Sequence, residues 1–185
     1  KDKTYTYGDT ITVTVTPKAT GEAPANNALV LAAPTAGQMA IYEGDRQLTE
    51  AKDVTSGSEL TFTIDTAEVN LGRGKHTLTA KFVESDNMAA QTGTVEVTVN
   101  LASISEAKVT VSGGPFTYDG KPKTPTVTVE LNGKPLSGGT DYKLSYENSN
   151  GGADNLTNAG MVTVTATGKG NYTGTKTAKI GRASC

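Results

Sequence analysis

The sequence predicts an all-β protein of two domains, and three observations predict it. Threonine, about 30 of the 185 residues, alternates with Val, Ile and Leu, so solvent-facing strand positions rather than loops take up the polar share. Period-2 alternation recurs along the chain, while no segment longer than a turn or two repeats at helical spacing. The pattern then starts over after Asn100, where the charge balance changes sign. Residues 1–100 carry 8 basic and 13 acidic side chains, and residues 101–185 carry 9 and 6. A chain of this length holds one large domain or two small ones and excludes a big enzyme. Its content of Leu, Ile, Val and Phe is low, but a net charge of -2 argues against disorder.

Alternation is clearest at Thr10 to Thr16, where Ile11, Val13 and Val15 share one face and the threonines the other. The same pattern recurs at Leu60 to Ile64, Leu78 to Phe82 and Val95 to Val99. Shorter strands are expected at Thr4 to Tyr7, Met39 to Tyr42 and Arg46 to Leu48, the last two joined by a turn at Glu43-Gly44-Asp45. Asp65 to Leu71 reads as one brief helical turn. In the second half, Val109 and Val111 share a face. Val127 to Leu131 then leads through Asn132-Gly133, a strong two-residue hairpin signal, into Lys134-Pro135-Leu136. Tyr142 to Tyr146 and Val162 to Ala166 alternate likewise, and a final strand is expected near Thr173 to Ile180. The domains are therefore 1–100 and 101–180, with a short joint at Leu101 to Glu106. Residues 181–185 read as a tail or scar, because Gly181-Arg182-Ala183-Ser184-Cys185 does not continue a strand.

The first domain resembles the bacterial immunoglobulin-like (Ig-like) repeats of group 3 type, found in long surface proteins and adhesins. The residues that carry the resemblance are Val13-Thr14-Val15-Thr16-Pro17, Met39-Ala40-Ile41-Tyr42-Glu43-Gly44, Gly74 to Phe82, and Ala89-Ala90-Gln91-Thr92 before Val95 to Val99. It departs at Lys18 to Gly37, a connection longer than the family's. The second domain is similar to another Ig-like repeat of Gram-positive surface proteins. Its marks are Phe116 to Lys121, Gly139 to Tyr146, Asn158-Ala159-Gly160 and Gly168-Lys169-Gly170-Asn171-Tyr172-Thr173-Gly174. Met161 and the lengthened loop Asn148 to Asp154 depart from it. The resemblance implies two tandem Ig-like β-sandwich domains on a bacterial cell surface or secreted. Their role would be a non-catalytic stalk or spacer with a part in adhesion, and their partners neighbouring repeats and a host protein or glycan. The alternative is a carbohydrate-binding or accessory module of a secreted glycoside hydrolase, for which a flat aromatic row would speak.

The chemistry-bearing residues are few. The single Cys is the last residue, which leaves no internal disulfide, Cys-based zinc site or well-placed thiol nucleophile. The single His, His76, has no second His or Cys to complete a site, and is expected to bond a loop backbone at the start of an inner strand. Glu43 with Asp45, and Glu84 with Asp86 and Asn87, are the acidic loop clusters to weigh for Ca²⁺, but neither has EF-hand spacing. As a glycosidase pair they would need aromatic walls, and the chain has no Trp and three Phe. Gly168 to Gly174 lies between strands and opens no helix, so it reads as a β-turn with Tyr172 plugging the sandwich edge, not as a phosphate loop. Lys81 and Lys108 alternate with core-facing residues and should point outward, away from any isopeptide partner. No catalytic residue, metal ligand or cofactor is expected.

The apolar run Ala28 to Ala33 resists a generic reading. Leu29, Val30 and Leu31 are expected either in an added edge strand or a loop folded onto the sandwich, or in an exposed patch that binds a partner or packs against a neighbouring copy. No run approaches the roughly 18 apolar residues of a membrane helix, and Lys1-Asp2-Lys3 is not followed by the apolar stretch of a signal peptide. The chain reads as an excised soluble fragment, with no membrane insertion and no nucleic-acid partner.

Overall fold

The computed structural model describes residues 3–17, 29–31, 37–54, 58–82, 92–114 and 116–182. Strands and turns account for them, with no helix among the described residues. The chain divides into two compact units, Lys1–Asn100 and Leu101–Cys185.

The first unit contains β1 (Lys3–Thr6), β2 (Thr10–Pro17), β3 (Leu29–Leu31), β4 (Gln38–Glu43), β5 (Arg46–Gln47), β6 (Lys52–Asp53), β7 (Leu60–Asp65), β8 (Gly74–Phe82) and β9 (Gly93–Asn100). One sheet runs β1-β9-β8-β4-β5, with β6 also on β4, and a second runs β3-β2-β7. All pairs are antiparallel except β1 with β9 and β3 with β2. The alternation in sequence sets the packing. Ile11, Val13 and Val15 of β2 and Phe62 and Ile64 of β7 point inward, and so do Met39 and Ile41 of β4, Leu78 and Ala80 of β8, and Val97 and Val99 of β9. Burying each of the larger of these side chains contributes about 1.5–3 kcal/mol. The outward rows are largely threonine, with Thr12 opposite Thr63 and Thr14 opposite Thr61.

The turn after β7 is one helical turn capped at both ends, as its sequence suggests. The Asp65 carboxylate accepts from the Ala67 and Glu68 amides, the pattern of an N-cap. Asn70, at φ +49°, closes the other end, with the Asn70 amide donating to Ala67 O and the Leu71 amide to Thr66 O. Leu71 then drops into the core, fully buried. Inside this turn, Thr66 is completely buried. Its hydroxyl accepts from the Gly8 amide at 2.8 Å and donates to Asp9 O at 3.1 Å, fastening the β1–β2 turn to the β7–β8 turn. Thr66→Val keeps the shape and strands the Gly8 N–H, so it is expected to destabilise the first unit by about 1–3 kcal/mol in urea titration.

The second unit contains β10 (Ala102–Ser103), β11 (Lys108–Ser112), β12 (Thr126–Leu131), β13 (Lys134–Pro135), β14 (Tyr142–Asn148), β15 (Gly152–Ala153), β16 (Gly160–Gly168), β17 (Tyr172–Thr173) and β18 (Thr175–Arg182). A four-stranded sheet runs β15-β14-β16-β18, a three-stranded sheet runs β11-β12-β13, and β10 pairs in parallel with β17. Val129, Tyr142, Ala166, Ile104 and Ala107 form the core, and Tyr172 packs against it from the Gly168 to Gly174 turn. In that turn Gly170 and Gly174 take φ +66° and +81°, the left-handed region expected of its glycines. Asn132 and Gly133, at φ +51° and +77°, make the type I′ hairpin between β12 and β13.

Leu101 to Glu106, expected as a joint, is instead part of the second unit. Ala102 and Ser103 form β10, and Ile104 has no exposed surface. An isoleucine buried to that extent anchors the segment as core. The final strand also runs further than expected, with β18 continuing through Gly181 to Arg182.

Candidate functional site

In the first unit, the β4–β5 turn brings the charged residues together. Glu43 follows Met39 and Ile41 on the inner face of β4, and His76 precedes Leu78 and Ala80 on the inner face of β8, so both sit at one end of that face. The His76 Nδ1 lies 2.6 Å from Glu43 Oε1, and its Nε2 lies 2.7 Å from Gly72 O. His76 thus bonds a loop carbonyl, as expected, and a carboxylate that sequence reasoning had weighed as a cation ligand. The second Glu43 oxygen takes a hydrogen bond from Arg46 Nη2 at 3.3 Å. Both ring nitrogens face acceptors within the fold, so neither is presented to a substrate or a metal. Asp45 is exposed in the turn, 3.6 Å from Lys81 Nζ, and does not converge with Glu43. Lys81 points outward, its ammonium over the Tyr42 ring and donating to Gly44 O. Lys108 is exposed as well. No three His, Cys, Asp or Glu side chains are grouped to hold a metal ion among the described residues. Glu84, Asp86 and Asn87 lie outside them.

The backbone of Leu29, Val30 and Leu31 forms β3, parallel to Val15, Thr16 and Pro17 of β2. It is an edge strand of the sheet β3-β2-β7, one of the expected arrangements. Their side chains, and Ala28, Ala32 and Ala33, lie outside the described residues. On the same unit a cavity of about 120 Å³ opens between β1, β2 and β9, lined by Lys3, Tyr5, Ile11, Val13, Val95 and Val97.

The second unit gathers its loops 113–125 and 149–159 at one end, joined by the Lys123 amide donating to Leu156 O. Asn148, at the end of β14 and 3% exposed, organises the longer loop. Its Nδ2 donates to Asn155 O and Asn158 O, and its Oδ1 accepts from the Asn150 amide. Asn155 Oδ1 in turn accepts from the Thr157 and Asn158 amides. The lengthened loop is therefore an ordered cage of asparagine side chains. Beside it, a shallow cleft is lined by Phe116, Tyr118, Lys121, Lys123, Thr157 and Asn158. Among the described residues, Tyr118 and Met161 are the large apolar side chains most open to solvent, at 48% and 46%.

The hydrogen bond from Lys123 Nζ, followed by that from the Lys121 amide, holds the Asp119 carboxyl below its ordinary range. A lowered carboxyl contributes stability that is present above the ordinary carboxylate range and is lost as pH falls through the lowered value. In Lys123→Ala, the Asp119 titration is expected to move back up, read from its carboxyl carbon shift by NMR. An unmoved midpoint would show that Lys123 is not its main partner.

Among the described residues, Thr66 and Asn148 are the buried polar residues, and sequence reasoning missed the burial of both. Each stands where a strand gives way to a turn, and the signal in the sequence for Asn148 is the recurrence of Asn at 148, 150, 155 and 158. Comparison with protein-family models finds no match to the chain, and comparison with the curated proteins finds none either.

Proposed function

We propose that the chain is a pair of tandem Ig-like β-sandwiches, a non-catalytic segment of a bacterial cell-surface protein that serves as stalk or spacer and takes part in adhesion through its loops and edges. The observation that carries the reading is the strand order of the first unit. A sheet β9-β8-β4 beside a pair β2-β7, with β1 running parallel to β9, is the arrangement in which an Ig-like sandwich sets strands G, F and C against B and E. The internal pairing of His76, Glu43 and Arg46 also favours a structural over a catalytic role for the one histidine. Assignment to a surface protein rests on the resemblance of the sequence and on fold analogy. An antibody against the folded chain is expected to label intact cells of the source, with the label removed by external protease. Labelling that appears only after lysis would overturn the reading.

One observation favours the alternative, a carbohydrate-binding accessory module: the exposed ring of Tyr118 beside Lys121, Thr157 and Asn158. Retardation of the chain in gels containing a soluble polysaccharide, abolished by Tyr118→Ala, would support it over the stalk.

A further inference from the structure

The sequence contains Asn-Gly twice, at Asn132-Gly133 and Asn150-Gly151, and the structure treats the two in opposite ways. Asn followed by Gly is the pair most open to intramolecular attack, because the glycine amide has no Cβ beside it to hinder approach to the Asn side-chain carbonyl.

At Asn150 every component of that reaction is held. Its Nδ2 donates to Ala159 O at 3.1 Å, its own amide donates to Asn148 Oδ1 at 2.9 Å, and its carbonyl accepts from Asn158 Nδ2 at 3.1 Å. The attacking group, the Gly151 amide, is turned toward Asn148 O at 3.3 Å. Gly151 is also confined, since a Cβ placed there would lie 2.3 Å from Asn155 Nδ2. Attack at Asn150 therefore requires opening of the asparagine cage.

Asn132 and Gly133 stand at the tip of the β12–β13 hairpin, both exposed. The Asn132 side chain and the Gly133 amide have no hydrogen-bond partner among the described residues, and a Cβ on Gly133 would meet open space. β13 is two residues long and sits at the edge of its sheet, so the turn opens without disturbing the core.

We propose that Asn132 is a site of spontaneous, non-enzymatic modification in the folded protein and that Asn150 is protected by its cage. The Gly133 amide nitrogen, losing its proton to solvent hydroxide, bonds to Asn132 Cγ. The Cγ–Nδ2 bond breaks and the amide nitrogen, taking a proton from water and so regenerating hydroxide, leaves as ammonia, giving a five-membered succinimide. Water then opens either carbonyl of the ring, yielding aspartate or isoaspartate at 132, so that the side-chain amide has been exchanged for a carboxylate. Each product adds a negative charge to a unit that carries an excess of basic side chains. Isoaspartate also lengthens the main chain by one methylene, and a two-residue turn cannot absorb that while Leu131 stays opposite Lys134.

The test incubates the full chain at mildly alkaline pH, folded and in parallel in urea, and follows both Asn-Gly peptides by mass and by enzymatic methylation of isoaspartate. In urea both peptides are expected to react at similar rates. In the folded chain the Asn132 peptide is expected to gain the mass of the NH-to-O exchange at least about tenfold faster than the Asn150 peptide, the signature of local opening at one and protection at the other. Equal rates in the folded chain would overturn the protection by the cage. Silence of both folded peptides, with both reacting in urea, would show that the turn itself blocks attack and would overturn the site.

Discussion

Phe62→Ala is expected to destabilise the first unit by about 3–5 kcal/mol and to leave the stability of the second unchanged. Phe62 is the largest side chain with no exposed surface, held on β7 opposite Val13 of β2 and inside the cluster that joins the two sheets. Truncation removes the ring and leaves a cavity that the rigid sheets cannot close, a loss of about 3–5 kcal/mol. A domain of this size has a total stability of about 5–15 kcal/mol, so the loss is between about a fifth and the whole of it. The measurement is urea unfolding followed at methyl resonances of Ile11 and Ile104, which report the two units separately. The Ile11 transition should move to much lower urea while that of Ile104 stays. A change below about 1 kcal/mol at Ile11 would mean that the two sheets are not packed around Phe62.

Asn148→Leu should produce the largest loss in the second unit from a single polar residue. The leucine fills the volume, but the carbonyls of Asn155 and Asn158 and the amide of Asn150 lose their partner together. Each buried group left unpaired costs about 1–3 kcal/mol. The neighbouring loop is exposed enough for water to recover part of this, so the net loss is expected at about 2–4 kcal/mol. Amide exchange should accelerate across 149–159 before the rest of the unit is affected. The same substitution should also release Asn150 from protection. Unchanged exchange in that loop would show that Asn148 fills space without ordering it.

What was legible in the sequence was what repeats locally. Period-2 alternation located β2, β7, β8, β9, β14 and β16, because each buries one face and turns polar side chains, threonines in all but β14, to the other. Asn132-Gly133 announced its hairpin, because two consecutive residues at positive φ leave few other choices. Parallel pairings left no such trace. β1 with β9 and β10 with β17 join strands distant in the chain, β3 pairs with the strand that precedes it, and nothing at Ala102-Ser103 distinguishes a two-residue strand from a joint. Thr66 was hidden for a related reason, since its partners Gly8 and Asp9 lie 58 and 57 residues away. Of the site residues, His76 was legible as framework because it has no second ligand. Its carboxylate partner was not, because Glu43 meets it only through the β4–β8 register.

Two all-β units, each with its own core, divide the chain between Asn100 and Leu101. Because Ile104 belongs to the second core, a division placed within 102–106 would cut into it, whereas one after Asn100 should leave both cores whole. The direct measurement is the amide NMR spectrum of residues 1–100 and of residues 101–185, each produced alone, laid over that of the full chain. Both halves are expected to give dispersed spectra whose peaks coincide with those of the full chain except near the cut. A collapsed spectrum from either half, or shifts spread through its core strands, would contradict this division.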